Sequence, residues 1–222
     1  MTGLKKIKPS ARLAEEVYDQ IYAGINSGVI DPNERIVQER LADELEVSRT
    51  PVREALLRLE HEGILVREKH GRFVVRRFSK EEIVQIYSAR EAVECHALAL
   101  LCEMSTSKLI KKLCDVVEKE EKDSICYTIN EYYEANKHIH RTFVEETGNR
   151  FLLDMFDMIW NRSVGFVVFS DMADENLPIS LTGHLELCDV VKRGNPREAA
   201  DTMRRHIREG LTLQSSVLMA RD

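Results

Sequence analysis

Apolar residues recur at helical spacing near the start of the chain. An interval of four residues separates the members of the first set, which are Leu13, Val17, Ile21 and Ile25. This spacing places them on one face of a helix, which we predict over residues 12–27. Gly28 and the turn at residues 31–33 end that helix. A second, shorter helix is predicted from Gln38 to Leu45.

The stretch VSRTPVREALLRLEHEGILV, residues 47–66, combines a turn, a helix start and an apolar stripe. The stripe has helical spacing and consists of Val52, Leu56 and Leu59, with Ala55 beside them. Ser48 or Thr50 is suited to cap the start of this third helix, because a hydroxyl oxygen accepts hydrogen bonds from the first helical amides. Pro51 is tolerated there, since its missing N–H has no helical partner in the first turn.

Arg49 and Arg53 stand one helical turn apart at the start of the third helix, away from its apolar stripe. With the preceding helix they predict a helix-turn-helix that presents arginines to the DNA major groove. An arginine can bond O6 and N7 of one guanine together, which discriminates between bases. Two brief strands, Ile64–Arg67 and Arg72–Arg76, follow around a turn at residues 68–71 and predict a β-hairpin wing.

The remainder of the chain has almost no strand character. Ser79 and Glu82 have the spacing of a capping box, which opens a new helix. Helices are predicted at about residues 80–103, 106–121, 128–147, 150–171, 178–193 and 196–217. The expected fold class is therefore mainly α. An N-terminal winged helix-turn-helix, α with a small β-hairpin, occupies residues 1–78, and an all-α helical bundle occupies residues 79–222.

The charge and the cysteine content limit the classes of protein to which this chain can belong. The 222 residues carry a formal net charge of −6, but residues 1–78 hold 14 basic and 13 acidic side chains. DNA binding must therefore depend on locally concentrated arginines and should be sensitive to salt. The five cysteines show no paired metal-ligand spacing, which favours reduced thiols and a cytoplasmic location. No run approaches the ~20 apolar residues of a membrane span, so no membrane partner is expected.

The N-terminal motif resembles the winged-helix domain of GntR-type bacterial transcription regulators over about residues 10–77. The matching positions are Glu39-Arg40, Val47-Ser48-Arg49-Thr50-Pro51-Val52-Arg53-Glu54-Ala55-Leu56, Glu62-Gly63 and His70-Gly71. The resemblance implies double-stranded DNA as a partner. The residues that it implies at the DNA are Arg40, Ser48, Arg49, Thr50, Arg53, His70 and Gly71. Arg53 can alternatively form a solvated ion pair with Glu54 or with another neighbour on the helix.

The C-terminal helices, over about residues 80–217, resemble the FCD ligand-sensing domain of the FadR-like branch of these regulators. In that pattern an aspartate and a histidine one turn apart join two histidines from later helices around a divalent metal. The corresponding residues here are Asn136, His140, His184 and His206. Three imidazoles suit borderline ions, so the resemblance implies zinc, nickel or manganese as a possible cofactor.

Asn136 departs from the pattern, because an amide has no negative charge. Three outcomes are open: the site holds metal loosely, it uses the carboxylate of an effector to restore neutrality, or it holds no metal. Glu186 and Glu134 are candidates to orient the imidazoles through hydrogen bonds. For a small organic acid effector the candidates are Arg90, Asn161 and Arg162. Arg90 can instead form a simple ion pair with Glu94, four residues along the same helix.

We expect a bacterial transcription regulator, a repressor rather than an enzyme. It should bind, as a homodimer, an operator with twofold symmetry. A small carboxylate, with or without a divalent metal, should modulate that binding from the helical domain. Two alternatives remain open. One is a regulator that senses metal without an organic effector, and the other is a three-histidine metal-dependent hydrolase or lyase with a DNA-binding appendage.

Overall fold

The computed structural model describes residues 11–31, 33–68, 71–122, 129–163 and 181–219 of the chain. The chain divides into two compact units, Met1–Arg76 and Arg77–Asp222. The first unit contains a small two-stranded sheet, and the described part of the second consists of helices and their connections. The expected fold class, a winged helix-turn-helix followed by a helical bundle, is confirmed.

The first unit is built around three helices. They are α1 (Ala11–Asn26), α2 (Gln38–Glu44) and α3 (Arg49–His61). The apolar faces predicted from the sequence meet in its core, where α1 packs on α3, except that Leu13 is 43% exposed. Their buried members are Val17, Ile21, Ile25, Val52, Leu56 and Leu59. Burial of each such side chain contributes about 1.5–3 kcal/mol to folding, and this fixes the orientation of α3 in the unit.

The turn between α2 and α3 has a strained residue and an unexpected cap. Glu46 has a φ of 52°, a left-handed conformation that is unfavourable for a residue with a Cβ atom. Ser48 occupies the N-cap position of α3 with extended backbone, but its side chain makes no cap hydrogen bond, contrary to the expectation above. Gln38 ties the two helices together instead, because its side-chain amide donates to the Arg49 carbonyl at 2.9 Å.

The predicted wing is present and slightly shorter than expected. Strand β1 (Leu65–Arg67) pairs antiparallel with β2 (Phe73–Val75), and Val66 lies opposite Val74 at the centre. Phe73 also bridges to Ile36, which attaches the hairpin to the chain before α2. Gly71 has a φ of 75° in the connecting turn. His70 lies outside the described residues.

The second unit is a bundle of long helices. They are α4 (Lys80–Glu103), α5 (Ser107–Lys122), α6 (Ile129–Glu145), α7 (Arg150–Ser163), α8 (His184–Arg193) and α9 (Pro196–Met219). Helix α4 begins with the predicted capping box, in which the Ser79 hydroxyl accepts from the Glu82 amide at 3.2 Å. The core of the bundle consists of apolar side chains from these helices, and Leu98, Phe143 and Leu187 are fully buried in it.

Helix α8 is shorter than the sequence predicted. It begins at His184 rather than at residue 178, since Gly183 adopts a φ of 91° and residues 181–183 are not helical. The predicted end of the preceding helix, at residue 171, lies outside the described residues. In the described part of the chain, no helix is both long enough and apolar enough to cross a membrane.

Candidate metal centre and DNA-binding surface

Three histidines from three different helices meet inside the second unit. His140 comes from α6, His184 from the start of α8 and His206 from the middle of α9. One ligand nitrogen of each ring lies within 4.8 Å of those of the other two. The His140 and His184 residues are 1% and 2% exposed, so water is almost excluded from their rings. The structure therefore brings together the three imidazoles that were predicted from the sequence as metal ligands.

Asn136 completes the predicted set. It lies one turn before His140 on α6, and its Oδ1 atom is 3.0 Å from Nε2 of His184. On the opposite edge of the same ring, Nδ1 of His184 is 3.1 Å from Oε1 of Glu121. A carboxylate accepts the Nδ1–H, so Nε2 carries a lone pair that faces the Asn136 oxygen. A lone pair of Nε2 and one of the Asn136 oxygen can therefore bind the same cation.

Glu121, on α5, also defines the start of α8. Its Oε1 atom accepts a hydrogen bond from the backbone amide of His184 at 2.9 Å. This amide is the first of the helix and has no acceptor within the helix itself. The same carboxylate oxygen thus fixes both the first amide of α8 and the orientation of the His184 ring.

His140 is held by a second buried carboxylate. Its Nδ1 atom is 2.5 Å from Oε2 of Glu94, a residue of α4 that is 1% exposed. Glu94 also accepts from Nε of Arg90 at 2.8 Å and from Nε1 of Trp160 at 3.2 Å. These bonds leave Nε2 of His140 as the nitrogen available to a ligand, the usual arrangement where a carboxylate orients a metal-binding histidine.

The electrostatics favour neutral imidazoles beside ionised carboxylates. Burial opposes ionisation of Glu94, but the charge of Arg90 and the contact with His140 outweigh it and hold its pKa well below the usual range. Burial lowers the pKa of His140 to about 4. Burial, and then repulsion from His140 and His184, lowers the pKa of His206 as well. Metal binding requires neutral imidazoles, so these shifts leave His140 and His206 in the binding form at neutral pH.

This donor set fits a borderline divalent ion. Three imidazole nitrogens lie within 4.8 Å of one another, and the Asn136 oxygen is 3.0 Å from the nitrogen of His184. Carboxylates orient two of the rings from behind. Zinc in particular accepts three protein nitrogens and leaves a further position for water or another ligand. The cluster is therefore a candidate metal centre of three imidazoles, with the Asn136 oxygen beside them as a fourth donor.

The effector candidates do not share one site. Arg90 is buried, paired with Glu94, and its guanidinium carbon lies 4.3 Å from the centre of the Trp160 ring. Asn161 instead lines an open cleft of about 710 Å³ on the outer side of α6, where its Oδ1 accepts from Lys137. Arg90 does not line that cleft. The Arg162 side chain lies outside the described part of the chain, and the effector role of all three residues stays a prediction.

Glu94 and Glu121 were missed as partners of the histidines. The sequence pointed to Glu186 and Glu134, but Glu186 is exposed and pairs with Arg205 at 2.6 Å, and Glu134 is exposed on the outer cleft. The i, i+4 relation of Arg90 to Glu94 was visible, yet nothing local shows that this pair faces the core. To predict that Glu94 and Glu121 contact the histidines, one must first know which helices pack against α6 and α8.

In the first unit, the arginines at the start of α3 lie in solvent. Arg49 pairs with Glu39 of α2 at 2.8 Å, and Arg40 pairs with Glu44 at 2.8 Å. Arg53 is exposed and has no ion pair among the described residues, so the predicted alternative, a bond to Glu54, is not formed. Exposed pairs of this kind are weak, and a phosphate or a base can displace them at little cost.

The hydroxyl residues beside these arginines are also exposed. Ser48 and Thr50 lie at the start of α3, and Gly71 lies at the turn of the wing. The DNA-contacting role of each remains a prediction.

Comparison with known proteins identifies both units. Residues 13–75 match the family described as bacterial regulatory proteins, gntR family. Residues 85–209 match the FCD domain family, which covers more than half of the chain. Thus the winged unit and the helical unit match separate families.

Curated relatives match across both units. The chain is 30% identical to the Nta operon transcriptional regulator of Aminobacter aminovorans over 179 residues, which cover 80% of this chain and 83% of that protein. It is 32% identical to the gluconate operon transcriptional repressor of Bacillus licheniformis over 161 residues, covering 72% of this chain and 62% of that protein. These relatives are regulators and not enzymes.

Solved structures share the fold. The structure of McbR (YncC) from Escherichia coli superposes with a TM-score of 0.75 at 22% identity, and covers 92% of this chain and 97% of that chain. A GntR regulator from Rhodococcus superposes with a TM-score of 0.72 at 22% identity, covering 95% and 99%. The two family matches and the relative of 30% identity show that the chain belongs to the gntR family of bacterial regulatory proteins, as a DNA-binding transcriptional regulator with an FCD domain.

Proposed function

We propose that this regulator is a homodimeric repressor whose operator binding responds to a small carboxylate bound at a divalent metal. The observation that carries the proposal is the buried cluster of His140, His184 and His206, with carboxylates behind two of its rings. Residues 1–78 bind DNA, and residues 79–222 bind the effector and dimerise. The protein acts in the cytoplasm.

DNA recognition depends on the start of α3. Arg49 and Arg53 are exposed there, one turn apart, while the opposite face of the helix is buried against α1. The helix therefore presents its first turn to the major groove, where each good arginine–guanine pair contributes ~1–3 kcal/mol of discrimination. Thr50, Ser48 and Arg40 contact phosphates, which position the protein without reading bases.

The twofold operator follows from the dimer. A single α3 reads only a few base pairs, and two copies related by a twofold axis read two half-sites roughly 34 Å, or one DNA turn, apart. A protein of net charge −6 gains little from general attraction to phosphates, so two simultaneous half-site contacts add the missing affinity. The wing residues His70 and Gly71 approach the adjacent groove.

The metal gives the effector its attachment point. His140, His184, His206 and Asn136 hold the ion, and when bound it supplies a Lewis-acidic position for a carboxylate oxygen. None of these four ligands carries a negative charge, so an anionic effector is favoured over a neutral one. Arg90 lies behind His140 as the partner of Glu94, and this ion pair adds no net charge to the site.

The effector acts by preferring one arrangement of the dimer over another. The ligands of the metal come from α6, α8 and α9, so binding of the effector to the metal changes how these helices pack on each other. Such coupling is typically worth about 1–3 kcal/mol, which is enough to change operator affinity by one or two orders of magnitude.

The first test is selective DNA binding. Double-stranded fragments enriched from random sequence with the purified full-length protein supply the operator, and fluorescence anisotropy compares its affinity with that of a scrambled duplex. We expect Arg49→Ala to remove the preference and leave folding and dimerisation unchanged. Arg205→Ala, which removes an exposed arginine of α9, is the matched control and should retain the preference. Equal affinity of the wild-type protein for both duplexes would contradict the proposal.

A regulator that senses metal alone is the second candidate, because the three imidazoles can hold an ion without an organic ligand. Titration of zinc, nickel or manganese into the protein–operator complex separates the two. Release of DNA by the metal alone favours this candidate. Release only when a panel of small carboxylates is added with the metal favours the carboxylate-responsive repressor.

A further inference from the structure

His184 lies between an uncharged ligand and a charged one. Its Nε2 faces the amide oxygen of Asn136 at 3.0 Å, and its Nδ1 contacts the carboxylate of Glu121 at 3.1 Å. These two contacts are on opposite edges of one imidazole ring. A change of charge at Glu121 is therefore transmitted through a single ring to the point where the three histidines converge.

The inner set of the cluster contains no negative charge. Three imidazoles and one amide would leave a divalent ion with its full charge in a site from which water is almost excluded, and such a charge is costly unless it is compensated. Two carboxylates lie directly behind the rings. The charge of Glu94 is already matched by buried Arg90, which bonds to it at 2.8 Å, so that pair adds no net charge.

We propose that Glu121, acting through His184, supplies the negative charge that Asn136 does not, and so makes this cluster able to hold a divalent ion. The inference rests on the proposed metal site and identifies a positioning residue for it. A carboxylate that accepts the Nδ1–H makes the opposite nitrogen a stronger donor to a metal. The Glu121 side chain is only 16% exposed, so solvent screens its charge weakly.

The geometry also holds Glu121 in place without the metal. Its Oε1 accepts from both the backbone amide and the ring of His184, at 2.9 and 3.1 Å. Glutamine at this position keeps an oxygen for both bonds and removes only the charge. Glu121→Gln is therefore a test of charge rather than of helix position.

Zinc affinity of four variants, measured by competition with a chromogenic chelator on the full chain, tests the inference. Glu121→Gln should weaken zinc binding by about 10-fold or more. Glu186→Gln is the matched control, because it removes the same charge from an exposed glutamate of α8 that pairs with Arg205. It should leave the zinc affinity within about twofold of wild type, since exposed charges act weakly.

The decisive comparison adds Asn136→Asp. With a carboxylate in the inner set, the charge of Glu121 is no longer needed, so Glu121→Gln in this background should cost less than about threefold, well below the 10- to 100-fold typical of outer partners. Thermal unfolding of the metal-free proteins checks that every variant folds. If Glu121→Gln does not fold, Asn136→Asp alone decides: we expect its zinc affinity to rise by about tenfold or less, and a rise above ~100-fold would overturn the inference.

The outcomes separate this inference from the proposed metal site. Equal losses from Glu121→Gln in both backgrounds would show that Glu121 only orients the ring, and would overturn the inference while the metal site stands. An effect no larger than that of Glu186→Gln would do the same. Zinc binding by Asn136→Asp but not by the wild type would overturn both the inference and the proposed cofactor, and operator binding would be unaffected.

Discussion

The carboxylate of Glu94 contacts Nδ1 of His140 at 2.5 Å, although 46 residues separate them in the sequence. The contact joins α4 to α6 in the centre of the helical unit. Arg90, one turn before Glu94, neutralises the same carboxylate. A residue that the sequence suggested as an effector anchor is therefore also part of the support for the histidine cluster.

Loss of the Glu94 carboxylate should destabilise the protein strongly. Glu94→Ala leaves Arg90 charged and unpaired in the interior, which typically costs about 3–5 kcal/mol. Glu91→Ala is the control on the same helix, because Glu91 pairs with Arg204 and Arg208 near the surface and should cost no more than about 1 kcal/mol. Urea unfolding of the metal-free proteins measures both values. Similar losses for the two variants would show that the buried pair has no special role.

Removal of one imidazole should abolish metal binding. Wild-type protein, purified without a metal-affinity tag, should contain about one divalent ion per chain by elemental analysis, and His140→Ala should contain none. His138→Ala is the control, because His138 lies two residues away, is 54% exposed and contacts Glu120 on the outer cleft. Retention of metal by His140→Ala, or its loss from His138→Ala, would mean that the ion binds elsewhere.

Two exposed residues of the first turn of α3 should affect DNA binding differently. Arg53→Ala should reduce the preference for operator over scrambled DNA by ~1–3 kcal/mol, because it removes a base contact. Thr50→Ala should weaken binding to both duplexes alike, because a phosphate contact carries no sequence information. Affinity measurements on both duplexes at one salt concentration give the comparison. A change of preference in Thr50→Ala but not in Arg53→Ala would reverse the assigned roles.

Relief of the strained turn should stabilise the first unit. Glu46 has a φ of 52°, which glycine adopts without steric cost. Glu46→Gly should therefore raise the free energy of unfolding by up to about 1 kcal/mol, because the left-handed strain that it relieves, ~1–2 kcal/mol, exceeds the ~0.5–1 kcal/mol entropic cost of glycine. The same substitution at Glu54, an exposed position inside α3, should lower it by about 0.5–1 kcal/mol. Denaturant unfolding of the two variants should thus give changes of opposite sign. Changes of the same sign would show that the turn is not strained.

Local patterns were sufficient for most of the described helices and for the helix-turn-helix. The capping box at Ser79 and Glu82, the apolar stripe of α3 and the Asn136–His140 spacing each depend on residues within one or two helical turns. Hydrogen-bond geometry and side-chain periodicity act over this range, so these three features can be predicted from the sequence alone. The predicted start of α8 was wrong because Gly183 adopts a left-handed backbone conformation, which the periodicity of side chains alone does not indicate.

The sequence by itself determined which residues have the chemistry of the site: three imidazoles, an amide in place of a carboxylate, and arginines at one helix end. Only the tertiary structure decided that Glu94 and Glu121 stand behind His140 and His184. These partners belong to different helices, and the packing of whole apolar faces brings them together. Helix positions in a core depend on the summed shapes of many side chains, and no short stretch of sequence contains that sum.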